Sequence, residues 1–122
     1  MAKIDRMFVA IAFIWLNLGL LLGLHMGITS DNRFLNTHVA MLLTGFVVLI
    51  LYGLVYRLWP SLKQTKFAVA QFWVTNVGVV AIVLGTAQMA MGGGVELAAL
   101  GSLLVIVGSV LMAVQFLSDR SA

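Results

Sequence analysis

The chain has 122 residues, of which 62% are hydrophobic and only 9% are charged, and it contains no cysteine. A soluble domain of this length needs a charged surface, so the composition excludes one and indicates an integral membrane protein. The lack of cysteine excludes disulfides, thiolate metal sites and thiol redox chemistry. The net charge of +3 comes from scattered residues without a basic stripe, which argues against nucleic-acid binding.

Four apolar stretches are long enough to be membrane spans: residues 7–28, 37–58, 67–91 and 97–116. Each has the ~20 residues that a helix needs to cross ~30 Å of hydrocarbon. The connections between them are short, so successive spans must run antiparallel. We therefore predict an all-α integral membrane protein in which residues 1–122 form one domain, a four-transmembrane antiparallel helix bundle in the lipid bilayer.

The basic residues collect at one end of the predicted spans. They are Lys3, Arg6, Arg57, Lys63, Lys66 and Arg120, whereas the connections at the other end hold only Arg33. Lysine and arginine are enriched on the cytoplasmic side of membrane proteins, so this bias predicts that both termini are cytoplasmic. His25, late in the first span, and His38, early in the second, then lie near the outer face.

His38, His25 and Gly45 are the candidate cofactor-binding residues. The two imidazoles lie at similar depth, about one helical turn below the connecting loop, and can ligate a heme iron. Gly45 lies below His38 on the same predicted face, which would leave a shallow trough for a flat macrocycle. The alternative for both residue types is a structural role, in which small and polar side chains close a contact between helices.

Small and polar residues also predict how the helices pack. Gly19, Gly23 and Gly27 form a ridge on the first span that favours close approach of another helix. A polar face of the third span is predicted to point inward, because uncharged polar groups in hydrocarbon need partners. Its members are Gln71, Thr75, Gly78, Ile82 and Gly85, with Gln115, Ser102 and Ser109 of the fourth span as candidate partners.

Several other functions are disfavoured. Methionines near the histidines suggest copper(I), but they form no tight cluster, which argues against copper. No charged residue lies in the interior of a predicted span, which argues against a proton-coupled transporter or an ion channel. No nucleophile–base pair, metalloprotease motif or phosphate loop is present, so we expect no stand-alone enzyme.

Three motifs carry a family resemblance. The helix opening at residues 36–38 (NTH), the pair Gly45-Phe46 and the run at residues 52–60 (YGLVYRLWP) resemble the second helix of heme–copper oxidase catalytic subunits, the subunit I of cytochrome c oxidase and nitric oxide reductase. The likeness is greatest to small bacterial membrane proteins that resemble one four-helix section of that subunit. Residues 71–78 (QFWVTNVG) and 23–28 (GLHMGI) also resemble, in position and character, the corresponding segments of the third and first helices of that section.

The resemblance implies a b-type heme protein of the bacterial inner membrane. His38 falls on the helix type that carries a low-spin heme ligand in that family. Because the family subunit contains three four-helix arcs, a chain equivalent to one arc is expected to form a homo-oligomer, a trimer by analogy, or to join a larger membrane complex.

Departures from the family pattern limit the expected chemistry. Ala40, Gln71 and Thr75 stand where the family pattern has histidines, and two histidines per chain cannot build a binuclear heme–copper centre. Electron transfer or heme binding is therefore expected rather than oxygen reduction. The iron would be held by His25 with His38 in one protomer, or by His38 residues across an interface. The alternative function is a cofactor-free oligomeric membrane scaffold or accessory subunit.

Overall fold

The computed structural model describes residues 3–120, which form four long helices and no strand. The helices are α1 (Ile4–Thr29), α2 (Leu35–Leu58), α3 (Ala68–Ala90) and α4 (Glu96–Ser118), and each is long and apolar enough to cross a membrane. The predicted all-helical fold with four long apolar helices is thus confirmed. The largest difference is at the start of α1, which was predicted at residue 7 and begins at Ile4.

At each connection, the backbone conformation of a single residue ends the preceding helix. Ser30 ends α1 in the left-handed conformation, with φ 55°. Pro60 begins a short 3₁₀ turn (Pro60–Gln64) directly after α2, since proline cannot continue a helix but is tolerated in a first turn. Gly92 has φ +90°, a backbone conformation that favours glycine, and it ends α3 before the turn into α4.

The helices form two antiparallel hairpins, α1–α2 and α3–α4, with α3 at the centre. Half of the most apolar window of α3 is buried, against 17% in α1 and in α4. One end of the molecule, called here the basic end, carries Arg6, Arg57 and the Pro60–Gln64 turn. The opposite end, called the histidine end, carries the α1–α2 connection. The outer surface is apolar along the helices, as expected of spans in contact with hydrocarbon.

The α3–α4 hairpin is held by direct contact between backbones. A Cβ atom added to Gly101 would lie 2.6 Å from the amide nitrogen of Ile82 and 2.8 Å from the carbonyl oxygen of Gly78. One added to Gly85 would meet the backbone of Ala98. Only glycine permits this approach, and it gives the two helices extensive van der Waals contact.

The glycines of the α1–α2 hairpin accommodate side chains instead. The pairs are Gly19 with Leu42, Gly23 with the His38 ring, Gly45 with Trp15, and Gly53 with Val9. Each large side chain fills the notch that a missing Cβ leaves on the facing helix. Gly27 has nothing within 4 Å of a Cβ position, so the predicted ridge ends at Gly23.

The first half of α2 departs from regular α-helix. Residues Ala40–Val48 form a π-helix, which begins two residues after His38, and Leu49–Leu58 return to α geometry. A π-helix turns less per residue than an α-helix, so faces drawn on a regular helical wheel shift along this segment. Such segments occur frequently at functional sites.

The inward polar face of α3 is as predicted, and its partners lie on α2 and α4. The Tyr56 hydroxyl donates to Gln71 Oε1 at 3.1 Å, and Gln115 Nε2 donates to the Tyr56 hydroxyl at 3.1 Å. Gln71 Nε2 also contacts Thr75 Oγ1 and the carbonyl of Gly108, both at 3.3 Å. No buried side-chain nitrogen or oxygen among residues 3–120 lacks a partner, so the network satisfies the polar groups it buries.

Candidate functional site

Two consecutive residues at the start of α2 connect that helix to both of its neighbours. Thr37 is buried and its hydroxyl donates to Thr86 Oγ1 of α3 at 3.1 Å. The next side chain, His38, places Nδ1 2.9 Å from the carbonyl oxygen of Gly19 on α1. The NTH opening therefore fixes the position of α2 against α1 and α3 at the same depth.

The contact with Gly19 decides the tautomer of His38. A carbonyl oxygen can only accept, so Nδ1 must carry the hydrogen and donate. In the neutral imidazole Nε2 is then unprotonated and has a free lone pair. A backbone carbonyl on one ring nitrogen and an electron pair on the other is the usual arrangement of a metal-ligating histidine.

The His38 ring packs directly on Gly23. A Cβ at Gly23 would lie 2.7 Å from Cε1 of the ring, so a larger residue there would displace the imidazole. The ring is half-buried between α1 and α2. Its orientation is therefore fixed by packing as well as by the hydrogen bond to Gly19.

A shallow apolar groove lies beside His38 on the outer surface of α2. Its volume is about 330 Å³, and its other lining residues are Val39, Leu42, Leu43 and Val47. Val39, Leu43 and Val47 are exposed at the molecular surface, so a ligand could enter from the side without crossing the core. Among the lining side chains, only the imidazole of His38 offers a nitrogen that could bind a metal. The other lining side chains are aliphatic and match the edge of a hydrophobic macrocycle.

Gly45 does not form the open trough that the sequence predicted. Trp15 of α1 occupies the space above it, and a Cβ at Gly45 would lie 2.6 Å from Trp15 Cγ. A flat ligand could reach Gly45 only if the indole moved. The glycine instead allows α1 and α2 to pack closely, which is the structural alternative considered for it.

His25 and His38 are not brought together in one chain. Gly23 faces His38, and at ~100° per residue the side chain two positions later points to the other side of α1. His25 is accordingly exposed, and its backbone carbonyl accepts the Thr29 hydroxyl at 2.8 Å. Among residues 3–120 no group of three or more His, Cys, Asp or Glu side chains could hold a metal ion.

The loop beside His25 carries an exposed ion pair. Arg33 Nη2 lies 2.8 Å from Asp31 Oδ2, and the Arg33 backbone amide donates to Asp31 Oδ1 at 3.0 Å. These hydrogen bonds from Arg33 lower the pKa of the Asp31 carboxyl below its ordinary value of 3.8. The pair shapes the α1–α2 connection, because it binds the side chain and backbone of the same loop.

Gln71 and Thr75, for which the resemblance had implied histidine positions, are both completely buried. Their partners are Tyr56, Gly108 and each other. In this chain these positions are therefore filled by a polar network between helices. Of the two imidazoles, His38 is half-buried and His25 is exposed.

Two important residues escaped the sequence analysis. Trp15 was assigned no role there, yet its side chain fills the notch at Gly45. Asp5 lies buried at the start of α1, where its Oδ2 accepts from Arg57 Nε at 2.6 Å and its Oδ1 lies 3.5 Å from Lys63 Nζ. The sequence did carry a signal for this contact. Asp5 is an acidic residue near the start of the first apolar stretch, and Arg57 is a basic residue at the end of the second, which lies beside it in an antiparallel pair.

Comparison with known proteins identifies no relative of this chain. No protein-family model, no curated protein and no solved structure matches the chain. The resemblance to the heme–copper oxidase subunit therefore depends only on the motifs at residues 23–28, 36–38, 45–46, 52–60 and 71–78.

Proposed function

We propose that this chain is a multi-pass protein of the bacterial inner membrane that binds a b-type heme through His38 and serves in electron transfer. The observation that carries the proposal is the hydrogen bond from His38 Nδ1 to the Gly19 carbonyl, which leaves Nε2 free for iron. The groove beside the ring supports it further, because its apolar walls would exclude water from one side of a bound heme.

Each residue of the site has a defined part in this proposal. His38 would supply a nitrogen ligand to the iron, the Gly19 carbonyl orients the ring, and Gly23 leaves space for the ring. A b-type heme, when bound, supplies a one-electron redox couple at its iron. The second nitrogen ligand would be His38 of a second copy of the chain, since His25 lies on the opposite side of α1. A homo-oligomer, a trimer by analogy, is therefore part of the proposal.

The test is an absorbance spectrum of the protein purified in mild detergent from heme-sufficient cells, before and after dithionite. A sharp reduced α-band that is lost in His38→Ala would support ligation. His38→Gln is the matched control, because glutamine can still donate to the Gly19 carbonyl but is a poor heme ligand. The proposal expects both variants to lose the band and His38→Gln to keep the fold.

Other outcomes would contradict heme binding or His38 ligation. A colourless wild-type protein that heme titration does not convert to this spectrum would overturn heme binding. Retention of the α-band in both His38 variants would show that another residue holds the iron. The same measurement on His25→Ala is expected to leave the band in place, since that side chain lies on the other face of α1.

Orientation can be tested separately with introduced cysteines, because the native chain has none. Asn32 lies in the connection at the histidine end and Gln64 in the turn at the basic end, and both are exposed. A maleimide that cannot cross membranes is expected to label Asn32→Cys in intact cells and Gln64→Cys only after permeabilisation. The reverse labelling would contradict a cytoplasmic basic end.

A second candidate function is a cofactor-free oligomeric scaffold or accessory subunit of a membrane complex. Asn17 favours it, because this amide is exposed midway along α1 and its Nδ2 donates to the Phe13 carbonyl in its own helix at 2.8 Å. Its side-chain oxygen has no partner within residues 3–120, and a polar group in hydrocarbon gains from one on a neighbouring chain. Mass measurement in detergent is expected to show that Asn17→Leu lowers self-association while its conservative variant Asn17→Gln does not.

A further inference from the structure

A groove at the basic end combines two arginines with apolar walls. It lies between α1 and α2, has a volume of about 380 Å³, and is lined by Arg6, Val9, Ala10, Leu54 and Arg57. Arg6 is in the first turn of α1 and Arg57 is the next-to-last residue of α2. The antiparallel arrangement therefore brings the two guanidinium groups to one edge of the groove, about one helical turn beyond its apolar floor.

Asp5 fixes the position of one of these arginines. The Asp5 side chain is 7% exposed, whereas that of Arg57 is 65% exposed, and within Arg57 it is Nε that donates to the Asp5 carboxylate. Both terminal Nη groups of Arg57 are left without a partner among residues 3–120. Arg6 likewise has no hydrogen bond or ion pair from its side chain in this part of the chain. Two guanidinium groups are thus available for an additional ligand.

The charge at this site is positive even with Asp5 counted. Arg6, Arg57 and Lys63 bring three positive charges to this end of α1 and α2, and the one carboxylate of Asp5 leaves a net charge of +2. Guanidinium groups bind phosphate oxygens in a planar two-point arrangement and prefer this to binding water. The apolar floor of Val9, Ala10 and Leu54 cannot bind a phosphate, but it matches an acyl chain that continues into the hydrocarbon.

We propose that the Arg6–Arg57 groove is a binding site for the phosphate headgroup of an anionic phospholipid. The guanidinium groups of Arg6 and Arg57 hold the phosphate, and one acyl chain lies along Val9, Ala10 and Leu54. Asp5 is a positioning residue, since it orients Arg57 without contacting the lipid. The site depends on insertion of the helices into a membrane, but not on heme binding at His38, which lies at the other end of α2. Basic pockets between helices at the cytoplasmic border commonly recognise anionic lipids.

A second groove at the same end is a poorer candidate. It lies between the start of α3 and the end of α4, and its cations are Lys66 and Arg120. Asp119 is also part of its wall and accepts a hydrogen bond from Ser61 at 2.6 Å. A carboxylate on the wall repels a phosphate, whereas in the first groove the carboxylate is buried behind Arg57. This second groove therefore serves as the control for the first.

The experiment is native mass spectrometry of the delipidated protein in detergent, titrated with phosphatidylglycerol or with phosphatidylcholine of the same acyl chains. We expect the wild type to retain phosphatidylglycerol at concentrations where phosphatidylcholine is not retained. The Arg6→Gln/Arg57→Gln variant should bind phosphatidylglycerol roughly thirtyfold more weakly, on a scale of about fivefold per basic side chain near an anionic surface.

The Lys66→Gln/Arg120→Gln variant removes the same charge from the same end and should bind within about twofold of the wild type, well under the fivefold expected for one basic contact. Equal losses in both double variants would overturn the proposal, because affinity would then follow net charge and not the groove. Equal retention of the two lipids by the wild type would overturn it as well. Displacement of the lipid by inorganic phosphate at equal concentration would show a site for free phosphate and would also contradict the proposal.

Two further variants keep the result interpretable if Arg57→Gln unfolds the protein by leaving Asp5 without its partner. Arg6→Gln alone leaves the Asp5–Arg57 pair intact and should still weaken binding about fivefold. Asp5→Asn keeps both arginines and releases Arg57, so it should weaken binding by less than Arg6→Gln. Unchanged binding in a folded Arg6→Gln protein would overturn the two-arginine site. The helical signal by circular dichroism identifies which variants are folded.

Discussion

Glycine brings the helices together in both hairpins, but by two different kinds of contact. In α3–α4, Gly85 and Gly101 bring one backbone against the other, so no long side chain separates the helices at these two positions. In α1–α2, Gly19 and Gly23 each accept a side chain, from Leu42 and His38. A backbone cannot move without moving its helix, whereas a side chain can change rotamer. The first interface is therefore rigid, and the second can adjust around its contents.

This difference explains where a ligand could act on the molecule. The candidate ligand His38 and the arginine groove both lie on the adjustable α1–α2 hairpin, while the α3–α4 hairpin provides a fixed support. Thr37 and Tyr56 of α2 hydrogen-bond to Thr86 and Gln71 of α3 and so connect the two hairpins. Glycines at similar spacing thus hold the α3–α4 hairpin together, whereas in the α1–α2 hairpin they make room for the side chains of a candidate site.

The largest effect is expected for Gly101→Ala. The new Cβ would lie within 3 Å of backbone atoms of Ile82 and Gly78, so α4 must move away from α3. We expect a loss of about 3 kcal/mol or more in the free energy of unfolding, at the upper end of overpacking effects. Unfolding in mixed detergent micelles, followed by circular dichroism, measures it. Gly27→Ala is the control, because nothing lies within 4 Å of its Cβ position, and a similar loss in both variants would contradict the backbone-contact explanation.

A smaller and rescuable effect is expected for Gly19→Ala in the other hairpin. Its Cβ would lie 2.5 Å from Leu42 Cδ2, the end of a flexible side chain. We expect a loss of about 1–2 kcal/mol, of which Leu42→Ala in the same chain restores about 1 kcal/mol relative to additivity. The four proteins of the double-mutant cycle are compared by the same unfolding measurement. Ile82→Ala should restore nothing to Gly101→Ala, since the clash there involves backbone, and an equal rescue would remove the distinction between the hairpins.

The connection between the hairpins is tested by Gln71→Leu. This change removes the acceptor of the Tyr56 hydroxyl and the donor to the Gly108 carbonyl. Hydrogen bonds between helices in membranes contribute about 0.6–1.7 kcal/mol, so we expect a loss of about 1–2 kcal/mol. Tyr56→Phe is the matched variant, because it removes the hydroxyl from the same bond. If the two losses are additive in the double variant, the side chains do not act through their mutual contact.

The smallest effect is expected at the α1–α2 connection. Arg33 lowers the pKa of Asp31 in the folded protein below 3.8, so the pair stabilises the fold above that pH. The contribution is lost as the pH falls through the lowered pKa, because the folded protein must then bind a proton it disfavours. Asp31→Asn should lower the unfolding temperature slightly at pH 6 and leave it unchanged near pH 2. The Arg33 side chain is 69% exposed and that of Asp31 33%, so water screens the pair, and a large difference at pH 6 would show that Asp31 has another partner.

Much of the fold could be predicted because it depends on local composition. Runs of ~20 apolar residues must form helices in a membrane, since backbone groups in hydrocarbon need internal hydrogen bonds. Pro60 and the glycines near Gly92 mark where helices end. The inward face of Gln71 and Thr75 was also predictable, because an uncharged polar group at that depth requires a partner.

The site was less predictable, because it depends on which residue of one helix meets which residue of another. His38 and Gly45 lie near one another in sequence, but Trp15, more than twenty residues away, decides that the space at Gly45 is filled. The π-helix over Ala40–Val48 also shifts the faces that a regular wheel assigns. No local pattern in α2 specifies either fact.

Sequence alone determined the four helices, their antiparallel order and the collection of basic residues at one end. Burial energy and backbone hydrogen bonding act over short segments, so apolar runs and charges suffice for these features. Tertiary structure decided that His38 bonds to Gly19, that His25 points away from it, and that Asp5 holds Arg57. Those contacts depend on the rotation and depth of one helix against another, which the packing of all four helices sets together.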